Sequence, residues 1–157
     1  TAPEVSVLTG FCGTQDDNAV AEHWVAAEID AGADIIFTML NEARVGAITA
    51  CRRGGVPQIG NARDWTQTDP DVFVASAVAR IDIGVLKAIK DMAAGETPET
   101  NVNLGIKDGD AVSLALRPDI ADGFRERLGG IASMLTEAAI AIPHDYGGPE
   151  FTPKDAM

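Results

Sequence analysis

The chain has 157 residues, 46% of them hydrophobic, and 24 acidic against 12 basic side chains give a formal net charge of −12. That apolar share excludes global disorder, and the acidic balance disfavours nucleic acid and anionic membranes as partners, because both repel such a surface. No run approaches the roughly 20 apolar residues that span a bilayer.

The opening PEVSVLTGF combines β-branched and apolar residues and predicts a short strand. The chain starts at Thr1 with no charged or apolar leader, the pattern expected of a processed or truncated product. GTQDDN is turn-like, and Thr14, Asp16 or Asp17 is placed to cap a helix. Residues 18–31 follow with Val20, Trp24, Ala27 and Ile29 near one stripe. ADIIFTML is a continuous apolar run, the signature of a strand buried on both faces. NEARVGAITACRRGG is helical in pattern and stops at Gly54-Gly55. VPQIGN predicts a strand, ARDWTQTDPD a loop, VFVASAV a strand and DIGVLKAIKDMAAG a helix ending at Gly95. This alternation predicts an α/β fold, a parallel sheet with helices on both faces.

The last third differs. TNVNLGIKDGDAVSLAL predicts a strand pair around a Lys107-Asp108-Gly109 turn. A long helix follows Pro118, interrupted at Gly129-Gly130, and the Pro/Gly-rich tail is expected to be irregular. The expected organisation is therefore a ligand-binding lobe over 1–97, and a segment over 98–157 that packs on it or on a partner lobe.

In an open parallel sheet, ligands bind beyond the carboxyl ends of the strands, where helix N-termini also point. Those ends place Phe11, Asn41, Glu42, Asp64 and Trp65 in the candidate loops, with Arg44 one turn into the following helix. Each also has a structural role open to it. Phe11 can cover the sheet edge, Asp64 can form an Asx turn, and Trp65 can pack under its own loop. Asn41 and Glu42 can cap a helix, and Arg44 can sit on a solvated face.

Catalytic patterns are missing. There is no phosphate-binding P-loop, no dinucleotide fingerprint after the first strand and no nucleophile elbow. His23 and His144 lack metal-ligand spacing, and no cofactor is expected. Cys12 and Cys51 can bridge or remain two separate thiols. The residues favour a binding protein. A small α/β enzyme using Cys12 or Asp64, and a ligand-sensing receptor domain, stay open as alternatives.

VLTGF with a following acid, GADIIF, the IGN-x-x-D segment, the ASxxxRID segment and the closing GIKDGDAVSLAL occur in one order from about Val5 to about Pro143. In that order the chain resembles the carboxyl-terminal part of the basic membrane protein (Bmp) family of substrate-binding lipoproteins. The resemblance implies a type I periplasmic-binding-protein-like lobe that serves an ABC importer without catalysis. Its ligand would be a purine nucleoside, nucleobase or similar heterocycle, and its partner the importer's permease. The implied location is the periplasm or the outer side of the inner membrane. An exposed interlobe face would promote self-association.

Three positions depart from the family. Met39-Leu40-Asn41-Glu42-Ala43-Arg44 replaces a glycine-rich loop, Ala62 stands where the first of two acids is usual, and Ala79-Arg80 replaces a lysine. In nucleoside-binding members those acids and that lysine contact sugar hydroxyls, so the departures weaken the case for ribose. Phe11 keeps an aromatic able to stack on a base.

Overall fold

The computed structural model describes residues 5–97, 104–140 and 145–154. It contains helices α1 (Asn18–Asp30), α2 (Arg44–Gly54), α3 (Ile81–Ala93) and α4 (Asp122–Thr136). The strands are β1 (Ile36–Phe37), β2 (Gln58–Ala62), β3 (Phe73–Ala79) and β4 (Val112–Leu116), hydrogen-bonded in the order β1-β2-β3-β4. The expected α/β class is what the chain adopts. No described helix is long and apolar enough to cross a membrane.

The chain divides into two compact units. The first holds α1, β1, α2, the start of β2 at Gln58-Ile59, residues 71–73 and the tail from residue 143. Asp17 caps α1, its Oδ1 accepting from the Ala19 and Val20 amides at 2.9 and 3.1 Å. Thr14 Oγ1 accepts from the Asp16 and Asp17 amides and shapes the entry. The fully buried positions of α1 are Ala21 and Val25, while Val20, Trp24, Ala27 and Ile29 are only partly covered. The difference follows from a close neighbour. α1 packs on α2, where Gly46, Ala47, Ala50 and Cys51 are buried, and only small side chains fit that crossing. Gly55, in the left-handed region at φ 65°, ends α2 as the Gly-Gly pair predicts.

β1 pairs in parallel with β2, Ile36 opposite Gln58 and Phe37 opposite Ile59. It is two residues long, against the eight of the predicted strand, and it is an edge. Ile36 is buried, but Ile35, Phe37 and Met39 are exposed, so the run is covered on fewer sides than its composition implied. The opening run also departs from expectation. Among described residues, 5–11 form no strand. The predicted strand's first residues, Pro3 and Glu4, lie outside the described residues.

The second unit holds residues 60–70 and 74–142, with most of β3, β4, α3 and α4. β3 and β4 run antiparallel, Ala75 opposite Leu116 through Ala79 opposite Val112. The Lys107-Asp108-Gly109 turn is present and leads through a 3-10 turn at Gly109–Ala111 into β4. The preceding strand of that expected pair falls mostly outside the described residues. α4 runs unbroken through Gly129-Gly130, contrary to expectation. Neither glycine takes a positive φ, and the Ser133 hydroxyl donates to Gly129 O, so the ladder continues at a propensity cost only. Neither α3 nor α4 buries a residue, and Ile81, Val85, Leu86, Ile89 and Met92 of α3 are exposed.

Candidate functional site

In the first unit two of the candidate residues, Phe11 and Asn41, line a cleft of about 1140 Å³, and Glu42 and Arg44 do not. Its lining includes Phe11, Cys12, Trp24, Glu28, Thr38 and Asn41. Gly10 lets the chain approach there. A Cβ at this position would stand 2.7 Å from Trp24 Cζ3 and 3.1 Å from Phe151 O. The Phe151 amide donates to Thr9 O at 2.7 Å, and the Phe151 ring meets Trp24 edge-on at 6.5 Å. This tail segment also places Tyr146 beside Phe11, with ring centroids 6.5 Å apart and planes at 63°. Phe11 is 60% exposed, which leaves part of its side chain uncovered. Tyr146 was not among the predicted residues, because only the returning tail makes it a neighbour of Phe11.

The loop after β1 is held from beneath. Both the Asn41 and Ala43 amides donate to Gln15 O, at 3.1 and 3.0 Å. Asn41 and Glu42 are exposed, while Arg44 is half-buried and donates to Leu40 O at 2.5 Å. That bond ties the guanidinium to its own loop. Gln58 is fully buried and donates through Nε2 to Thr38 Oγ1 at 2.8 Å, its Oε1 having no hydrogen-bond partner among the described residues. Gln58 and Thr38 are a buried polar pair that the apolar reading of ADIIFTML concealed.

Both cysteines are free. Burial, and then the Glu28 carboxylate, push the Cys51 thiol up to about 11, which leaves it protonated and unreactive at neutral pH. Burial also raises Glu28 above the usual carboxylate range. Cys12 donates to Thr14 O at 3.0 Å.

In the second unit the loop after β2 organises Asp64 and Trp65. Asp64 Oδ1 accepts from the Thr66 amide at 2.9 Å and from the Thr66 hydroxyl at 2.6 Å, an Asx-type turn. The Trp65 amide donates to Ser76 Oγ and its indole N–H to Asn61 O, both at 2.9 Å. The Arg63 guanidinium lies 3.9 Å from the Trp65 ring centre. Ala62 sits at φ 68°, a left-handed conformation that costs about 1–2 kcal/mol in a residue other than glycine. Arg80 pairs through two nitrogens with Asp82, at 2.8 and 2.6 Å, and this hydrogen bond lowers the Asp82 carboxyl. Thus Asp64 and Trp65 have the structural roles weighed for them, and Arg80 anchors the start of α3.

Gly60 is the hinge of that packing. A Cβ there would lie 2.6 Å from Trp65 Cδ1 and 2.8 Å from Ser76 Oγ. Gly60→Ala is expected to displace the indole and cost about 1–3 kcal/mol, read as a fall in the thermal midpoint with red-shifted Trp fluorescence. An unshifted spectrum and midpoint would show that Trp65 does not pack over Gly60.

No group of three or more His, Cys, Asp or Glu side chains able to hold a metal ion occurs among the described residues. No family model and no curated protein matches the chain. Solved structures do. An ABC transporter solute-binding protein from Aeropyrum pernix K1 superposes with TM-score 0.71 at 18% identity, over 86% of this chain and 47% of that one. One from Conexibacter woesei gives 0.64 at 17% identity, over 90% and 47%. A transcriptional activator of the comK gene from Bacillus halodurans gives 0.73 at 20% identity, over 84% and 46%. At these identities the likeness establishes the fold alone, one shared with part of each of these proteins. The chain spans just under half the length of each of these neighbours.

Proposed function

We propose that this chain is part of a solute-binding protein of the Bmp kind, which takes up a small heterocycle such as a purine nucleoside or nucleobase for an ABC importer and does no chemistry on it. The observation that carries the reading is the fold likeness over 86–90% of the chain to two proteins described as ABC solute-binding proteins. The uncovered part of Phe11 beside Tyr146 supports a flat ligand. Residues 1–97 would form the binding lobe and 98–157 would pack on it or on a partner lobe. Phe11 would stack on the ring. In the first unit Asn41, Glu42 and Arg44 would supply polar contacts; in the second, Asp64, Trp65 and Arg80 stand as ligand contacts of that unit's own loops. The importer's permease would be the protein partner, and the working location outside the inner membrane. Self-association would run through an exposed interlobe face.

A second reading, a ligand-sensing regulatory domain, is favoured by the Bacillus halodurans neighbour, which is described as a transcriptional activator.

Calorimetry with a panel of purine nucleosides and bases tests the binding. Stacking contributes about 1–3 kcal/mol per base, so Phe11→Ala is expected to weaken binding by roughly 5- to 150-fold without loss of helix content. No heat from any member of the panel would remove the purine assignment.

A further inference from the structure

The acidic balance of the chain extends into the cleft of the first unit. Asp16, Glu28 and Asp34 are the charged side chains that line it, and no Lys, Arg or His does so among the described residues. Asp16 and Asp34 are exposed, whereas Glu28 is half-buried. Glu28 follows Trp24 by four residues on α1, so the two share one helix face, and both line the cleft. Phe11 and Phe37 add two more rings to the lining, 60% and 54% exposed.

The Glu28 carboxyl makes no hydrogen bond or ion pair among the described residues. Burial raises it above the usual carboxylate range. A carboxylate drawn out of water in this way is unfavourable until a positive charge comes beside it. The rings around it favour the same kind of charge, because an aromatic face attracts a cation. The chain's net charge of −12 also draws cations towards its surface. An anion would meet three carboxylates here and no basic group, and a neutral ring would leave Glu28 unpaired. At about 1140 Å³ the cleft exceeds the roughly 300–1,000 Å³ usual for small-molecule sites, so a two-ring ligand fits by volume.

We propose that this cleft takes an organic cation built on a flat, apolar ring system, with Glu28 as its counter-charge and Phe11, Trp24 and Phe37 as the surface for its rings. The inference deepens the solute-binding reading and rests on it: the heterocycle taken up is one that carries a positive charge, such as an N-alkylated azine or purine, in preference to its neutral parent.

Quinoline and N-methylquinolinium are the matched pair that tests it. They share size and rings, and at about pH 8 only the second is charged. In calorimetry the cation is expected to bind at least tenfold more tightly than quinoline. Glu28→Gln should abolish that preference and leave the affinity for quinoline within about twofold. Amide and indole N–H chemical shifts locate the ligand: the Trp24 indole and the Glu28 amide should move, and the Trp65 indole of the second unit should not. If Glu28→Gln fails to fold, the shift map of the parent chain decides in its place. Equal or tighter binding of quinoline overturns the proposal, as does a Glu28→Gln variant that keeps the preference, or a shift map centred outside the cleft. Heat from the purine panel with none from N-methylquinolinium overturns it too, and leaves the solute-binding reading standing. Silence from every compound, neutral and charged, overturns both.

Discussion

Gly46→Ala is expected to be among the most damaging single substitutions in the chain. In most helices this change gains about 1 kcal/mol, because alanine restricts the unfolded backbone and favours the helix. Here the new Cβ would stand 2.0 Å from Asn18 O, 2.8 Å from Asn18 C and 3.0 Å from Glu22 N. Those are backbone atoms of α1, and no side-chain rotation relieves the overlap. The helices must move apart, which also lengthens the 2.9 Å bond from the Gly46 amide to Asn18 Oδ1. It also opens the packing of α1, where Ala21 and Val25 are buried, on α2, where Ala47 and Ala50 are buried. Overpacking costs about 1–3 kcal/mol and sometimes more, and this contact lies at the upper end. At about 2–4 °C per kcal/mol, the thermal midpoint should fall by roughly 6–12 °C. A midpoint equal to or above that of the parent would mean that α1 and α2 do not cross at Gly46.

Phe73→Ala is the second. Phe73 opens β3, is fully buried and is the largest side chain with that status among the described residues. Removing its ring loses the transfer free energy of the deleted carbons and leaves a cavity that close-packed neighbours fill only in part. The expected cost is about 3–5 kcal/mol, seen as a lower urea midpoint at unchanged slope. Phe73→Leu keeps most of the volume and should cost less than half as much. Equal costs for the two variants would show that aromatic shape, not burial, holds this position.

The elements legible in the sequence were those whose signals are local. Gly55 and Gly95 stop their helices in left-handed geometry, as the pattern of residues indicated. Asp17 caps α1 within three residues, and Asp64 closes a turn with Thr66 two residues on. The α/β class followed from the alternation of such segments. Where the reading went astray, partners distant in sequence decided the outcome. VSVLTGF has strand composition but forms no strand, because composition supplies no pairing edge. ADIIFTML contributes only Ile36 and Phe37 to the sheet, because β1 is an edge and its outer side is open. Gly129-Gly130 look like a break, yet glycine takes helical angles readily and the ladder of α4 runs through them.

The candidate site divides in the same way. Phe11, Asn41 and Asp64 could be named from their position after predicted strands. Tyr146 could not, because its place beside Phe11 depends on a tail that returns from the far end of the chain. Nor could the bond from Gln58 in β2 to Thr38 just after β1.

By itself, then, the order of residues determined the caps, the turns, the helix stops and the alternating class, since each depends on neighbours a few positions apart. Tertiary structure decided which apolar run became a strand, which glycine became a close contact and which aromatic met Phe11. Those outcomes depend on contacts between residues far apart in the chain, whose free energy appears only once the intervening segments have folded and brought them together.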